Sequence, residues 1–275
     1  MKKQKNKLII FLSFMLLFFS CQKENEKTAL YLHASHLLYN DASIQQMDTT
    51  FLKFDLSPYS IKMFGGDLTY NSTGQITTLN YIDSLLYLSD TTTLFSVGNH
   101  DYSSLSNLQS FTNRLSYYTY HKNDITFIVL DTQIDHNDIV DAQLQLVQTV
   151  CDTINESSHL IVLHHKLLWL MDSDSLQQQV PTISNGNIGD CFHCLDSCNF
   201  YTEIYPLFLA VKNRNIEVIL LAGDIGNKIK SFEQTNADGI VLLASGIKAS
   251  TMGNKVLVFE HQIADRKLSW EFIDF

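Results

Sequence analysis

The sequence predicts an α/β layered sandwich, because strand-like apolar runs alternate with helix-like periods and give way to a β-rich end. The runs are Leu30–Leu32, Ile61–Phe64, Thr93–Val97, Ile125–Leu130, Leu160–Leu163, Ile216–Leu221 and Ile240–Ala244. Between them, Ala142 to Asn155 places Leu144, Val147, Cys151 and Ile154 on one stripe. Tyr201 to Arg214 does the same with Ile204, Leu207, Phe208 and Val211. Both spacings are helical. At the end, Lys255–His261 and Lys267–Ile273 flank the polar Ala264-Asp265-Arg266 and read as an antiparallel hairpin.

Composition supports one domain with a sizeable core. The 275 residues are 45% hydrophobic and 17% charged, and only three prolines and eleven glycines are spread along them. The net charge of −10 argues against a phosphate-backbone surface, so no nucleic-acid partner is expected. No internal repeat or low-complexity tract divides the chain.

The first residues read as a targeting segment rather than as part of the fold. Lys2, Lys3, Lys5 and Lys7 precede the apolar stretch Leu8 to Phe19, and Ser20-Cys21 follows. A charged region, a short apolar region and a small residue before cysteine form the pattern of a bacterial lipoprotein signal. The expectation is a signal peptide over 1–20, lipidation at Cys21, a polar tether over 21–29 and a domain over 30–275. An uncleaved anchor helix is the competing reading. Gln22-Lys23-Glu24-Asn25-Glu26 resembles the tag that carries some lipoproteins to the outer face of the outer membrane. Contact with the membrane is thus expected through the lipid alone.

Chemistry gathers where the strand-like runs end. The tips read His33-Ala34-Ser35-His36, Gly65-Gly66-Asp67, Gly98-Asn99-His100-Asp101, His164-His165 and Gly223-Asp224-Ile225-Gly226. Ligands of α/β sheets collect outside the carboxyl ends of strands. Histidine, aspartate and asparagine are donors for a divalent metal, and glycine lets the backbone turn beside them. One such cluster is usually a turn. Five in order, each after an apolar run, are not explained that way.

The series resembles the calcineurin-like metallophosphoesterase superfamily, whose blocks run Asp-x-His, Gly-Asp, Gly-Asn-His-Asp/Glu, His and Gly-His-x-His. The likeness extends from Leu30 to Phe275 and includes "FIVLDTQ" (126–132), "DAQLQLVQ" (141–148) and "LIVLHHK" (160–166). It implies a four-layer αββα sandwich and two metals, bridged by Asp67, that activate water against a phosphate ester. It further implies metal binding by Asn99, proton donation from His100 to the leaving group, and orientation of His100 by Asp101.

Three positions depart from the pattern. Ala34 stands where the first aspartate belongs and Gly226 where the last histidine belongs, so one metal keeps only His36 and the bridging Asp67. His33 is expected to point away from that site, since neighbouring strand residues face opposite sides. The other metal keeps Asp67, Asn99 and His164, with Asp224 in place of a histidine; His165 is the less favoured of the pair, and Lys166 stands where the family often has proline. A carboxylate there favours the harder ions Mn²⁺, Mg²⁺ or Ca²⁺ over Fe or Zn. The resemblance thus implies a phosphate mono- or diester hydrolase with one ion rather than two. The alternative is a catalytically inactive binding protein built on the same fold.

The segment "CFHCLDSC" holds Cys191, Cys194 and Cys198 around His193. A disulfide within it is expected in an exported chain; a zinc knuckle and unpaired thiols are the alternatives. Cys151, on the apolar stripe of its helix, is expected to be a buried free thiol.

Overall fold

A computed structural model describes residues 28–39 and 47–275. The expected signal peptide, Cys21 and the tether up to residue 27 lie outside the described residues. Thr28 and Ala29, placed in the tether by the sequence, already belong to the first strand and pair with Gln262 and His261.

Two sheets form the centre. The first contains β1 (Thr28–Ala34), β2 (Ile61–Phe64), β3 (Thr93–Phe95), β10 (Lys255–Gln262) and β11 (Lys267–Asp274), in the order β11-β10-β1-β2-β3. The second contains β4 (Tyr118–Lys122), β5 (Ile125–Val129), β6 (His159–His164), β7 (Glu217–Ala222), β8 (Ser231–Thr235) and β9 (Val241–Ser245), in the order β4-β5-β6-β7-β9-β8. In the first sheet the parallel strands β1-β2-β3 run to one edge, with antiparallel β10 and β11 at the other; in the second, parallel β5-β6-β7-β9 occupy the middle and antiparallel β4 and β8 close both edges. Parallel strands are buried on both faces, which is why they appear in the sequence as continuous apolar runs.

Alternation along each strand sorts the core into layers. Tyr31, Met63, Phe127, Ile161, Leu163, Ile219 and Leu257 meet between the sheets. The outer face of the first sheet, with Leu32, Ala34 and Phe64, is covered by α1 (Ile76–Leu86) through Leu79, Ile82 and Leu86. The outer face of the second, with Leu160, Val162 and Leu220, is covered by α3 (Asp141–Thr153) and α4 (Tyr205–Lys212) through Val147, Cys151, Phe208 and Val211. A shorter helix, α2 (Leu105–Thr112), follows the β3 tip. The result is the expected four-layer αββα sandwich.

Each strand expected from an apolar run is present. β4 and β8 are additions, and the reason lies in their position. Both are edge strands with exposed and half-buried residues in alternation, so neither shows an apolar run in the sequence.

His159 opens β6, is buried, and is held neutral: burial, with His261 nearby, pushes its imidazole down to about 4. The unfolded chain binds a proton at an ordinary histidine near pH 6.5, whereas the folded chain does not until about pH 4. Stability from this group is therefore present above pH 6.5 and lost as the pH falls toward 4. The wild-type urea midpoint should drop over that window relative to His159→Gln, with the two curves parallel above pH 7. Parallel curves down to pH 4 would mean that His159 is charged in the folded protein.

Candidate active site

The strand tips of both sheets meet at one end of the sandwich. Gly65, after β2, and Gly223, after β7, touch through their backbones: a Cβ on Gly223 would lie 1.7 Å from the Gly65 carbonyl oxygen. Gly98 is fixed by a similar approach, since its Cβ would lie 2.1 Å from Asp67 Oδ1. Glycine at these positions lets the tips come within side-chain reach of each other.

Asp67 follows Gly66 with φ of 53°, which turns its carboxylate inward, where the His100 N–H donates to Oδ1 at 3.1 Å. On the other sheet, Ile161 and Leu163 point between the sheets and His165 continues that alternation. The His165 Nδ1–H donates to the Gly65 carbonyl at 2.8 Å, so Nε2 faces the interior of the site. There it meets Asn99 Oδ1 at 3.3 Å, Asp67 Oδ1 at 3.5 Å and Asp224 Oδ1 at 3.8 Å. All four residues are buried.

His164, the expected ligand, is placed apart from this cluster. Its Nδ1–H donates to the Lys166 carbonyl at 2.6 Å, and its Nε2 is buried without a hydrogen-bond partner. The imidazole that joins Asp67 and Asp224 is that of His165. The alternation of Ile161, Leu163 and His165 is the sequence signal that identifies it.

Lys166 was also missed as a site residue. Its ammonium is buried and donates to the His193 carbonyl at 3.0 Å, Asp224 Oδ2 at 3.2 Å and Asn99 Oδ1 at 3.3 Å. Burial alone would raise the Asp224 carboxyl, but Lys166 and His165 outweigh it and hold the group below the ordinary carboxylate range. Asp67 is different. Burial and the Asp224 charge push it up to about 6, against the pull of His36 and Lys166.

Asp101 does not touch the His100 ring. Its carboxylate accepts from the N–H groups of Leu68, Thr69 and Gly98 and from the Thr69 hydroxyl. It therefore braces the loop that carries Asp67. His100 instead lies flat between two rings, with Tyr70 at 4.7 Å and His193 at 5.4 Å, and its Nδ1 is without a partner. Burial, then His193, His165 and His36, push its imidazole down to about 4, so it is neutral at physiological pH.

His36 is buried, with Nδ1–H donating to the Ile247 carbonyl at 2.8 Å. Ala34 packs into the apolar layer under α1, and Gly226 offers no side chain. His33 shares the inward face of Tyr31 rather than pointing away; its Nδ1 bonds the Ser245 hydroxyl at 2.8 Å. The set around His165 is spaced as the ligands of a divalent ion would be. Bonds of about 2.0–2.2 Å put the ligands of a tetrahedral ion about 3.3–3.6 Å apart, close to the separations of Asn99, Asp67 and Asp224 from His165 Nε2. The Nδ1–H bond of His165 to a backbone carbonyl is the usual companion of a metal-ligating imidazole.

No family model matches this chain, and no curated protein matches it in sequence. Solved structures do. A dimetal phosphatase from Danio rerio superposes with a TM-score of 0.52 at 10% identity, over 90% of this chain and 99% of that one. The chain has the calcineurin-like metallophosphoesterase fold. A 5′-nucleotidase precursor from Thermus thermophilus gives 0.44 at 10% identity, over 90% of this chain and 54% of that one, so the chain spans about half its length. Vacuolar Protein Sorting 29 from Cryptosporidium parvum gives 0.38 at 12% identity, over 91% and 99%.

Within this calcineurin-like fold, Gly226 has φ of 129°, and a Cβ there would meet the Ile247 carbonyl oxygen at 2.7 Å. Histidine at 226 is therefore strained, and aspartate at 34 enters an apolar layer. The double change Ala34→Asp with Gly226→His should lower stability by several kcal/mol and leave Mn²⁺ stoichiometry unchanged. A second equivalent of bound Mn²⁺ would contradict this placement of both residues.

Proposed function

We propose that this protein hydrolyses a phosphate mono- or diester with one divalent ion, as a lipid-anchored protein of the outer membrane. The reading rests on one observation: the three oxygens of Asp67, Asn99 and Asp224 gather around the inward Nε2 of His165. A bound ion would supply Lewis acidity toward a phosphoryl oxygen and an activated water.

The chain's own groups supply the rest. Asp67 and Asp224 balance the ion's charge, while Lys166 keeps Asp224 ionised and turns its second oxygen away from His165. His100, on the rim beside Asn99, is the group for the leaving oxygen. It is neutral in the free protein, and an approaching phosphate raises its proton affinity by Coulomb attraction. The disulfide between Cys191 and Cys194 suits an oxidising compartment and so supports export.

A second reading, a binding protein without catalysis, draws on Lys166. Its ammonium donates to both Asp224 and Asn99, filling with a fixed charge part of the role a cation would have there. Metal analysis separates the two. Detergent-solubilised full-length protein should carry about one Mn²⁺ per chain and hydrolyse bis(p-nitrophenyl) phosphate. His165→Ala should abolish both, and His164→Ala should keep the ion. Absence of Mn²⁺ uptake by the wild type would favour the binding protein.

Anchoring is tested apart from the site. Cys21→Ser should move the protein from the membrane to the soluble fraction, and retention in the membrane would point to the uncleaved helix.

A further inference from the structure

The segment Cys191–Cys194 is closed by a disulfide, so Cys194 is not a zinc ligand and Cys198 is a free thiol. This loop lies over the site. His193 sits at its tip, with its imidazole next to His100 and its carbonyl on the Lys166 ammonium. Gly186 lets the loop settle, since a Cβ there would meet the His193 carbonyl oxygen at 2.5 Å.

One contact gives His193 a particular role. The side-chain N–H of Asn99 donates from Nδ2 to His193 Nδ1 at 2.9 Å. An amide has one donating end and one accepting end, and its two rotamers are nearly equal in shape. Pinning Nδ2 outward to His193 sends Oδ1 inward, where it faces His165 and Lys166. Without that acceptor, the flipped amide would present an N–H pair to the ion and to the Lys166 ammonium.

We propose that His193, carried by the Cys191–Cys194 loop, is a positioning residue that fixes the amide of Asn99 for metal binding. The proposal rests on the one-ion reading above. The loop contributes twice: through the imidazole to Asn99, and through its backbone carbonyl to Lys166. The disulfide holds both contacts in register, so the staple acts on the ion across an outer contact, as partners of metal ligands do.

The test is Mn²⁺ affinity by isothermal titration calorimetry on detergent-solubilised full-length protein, with thermal melting alongside. The imidazole of His193 is exposed, so His193→Ala should melt like the wild type while binding Mn²⁺ about 10- to 100-fold more weakly. His193→Gln, whose Oε1 can accept the same N–H, should recover most of the affinity. Cys191→Ser with Cys194→Ser should weaken binding at least as much as His193→Ala, because the carbonyl contact to Lys166 loosens too. In an Asn99→Asp background both oxygens are equivalent, so the His193→Ala effect should shrink toward none. Wild-type Mn²⁺ affinity in His193→Ala would overturn this proposal alone. No Mn²⁺ uptake by the wild type would overturn it together with the one-ion reading.

Discussion

The contact between Gly65 and Gly223 is the constraint on which the site depends. It brings the end of β2 in one sheet against the end of β7 in the other, closer than any side chain allows. Ser35 ties the same junction, its hydroxyl lying 2.5 Å from both the Gly223 and Ser245 carbonyls. The Gly65 carbonyl then accepts the His165 Nδ1–H across the gap. Because of this, a histidine from the second sheet and an aspartate from the first share one point. Elsewhere along the sandwich, the space between the sheets is filled by Phe127, Tyr31 and Leu257. A pair of tips free of side chains is what leaves room for polar chemistry at this end.

Much of the architecture was legible because it rests on hydrophobic periodicity. β2, β5, β6 and β7 are buried on both faces, and no other pattern explains four-to-six-residue apolar runs between helical stripes. β4 and β8 were not legible, since an edge strand has one solvated face and partners that the sequence does not reveal. In the site, Asp67, Asn99 and Asp224 stand where the spacing of the tips placed them. Motif position points to His164, whereas strand alternation points to His165, the imidazole that joins Asp67 and Asp224. His33 was lost to the same alternation applied with the wrong starting face: Tyr31, and with it His33, looks between the sheets, and Ala34 looks out under α1. Alternation tells which residues share a side and leaves open which side is which, until long-range packing decides.

Asp101 shows a different limit. Its place in Gly98-Asn99-His100-Asp101 suggested a partner for the neighbouring imidazole. The folded chain gives its carboxylate four donors from the segment 68–69 and from Gly98. Three of those donors belong to a loop that approaches from β2, more than thirty residues earlier, and nothing local to the motif announces them. A buried carboxylate without such donors would cost several kcal/mol. The loop in turn needs a fixed acceptor to hold Asp67 in its left-handed conformation, so Asp101 and Asp67 depend on one another through backbone.

Lys166 decides how the site's charge is balanced. Asp67 and Asp224 contribute two negative charges in a dry pocket, and the buried ammonium cancels one of them. One divalent ion then leaves the cluster with a single positive charge, directed at the rim where His100 and His193 stack. A second divalent ion would leave three, with only Asp67 and His36 to hold it, and burying unbalanced charge of that size is strongly unfavourable. Under the proposed one-ion reading, the lysine and the residues at 34 and 226 act together: the ammonium would supply charge that a second ion would otherwise bring, and Ala34 and Gly226 would offer that ion no ligand. Lysine carries its ammonium on a flexible stem and turns it toward three acceptors at once. Those acceptors come from the β3 tip, the β7 tip and the disulfide loop. Where two metals would tie the strand tips together through a bridging carboxylate, one ammonium joins two of those tips to the cover of the site.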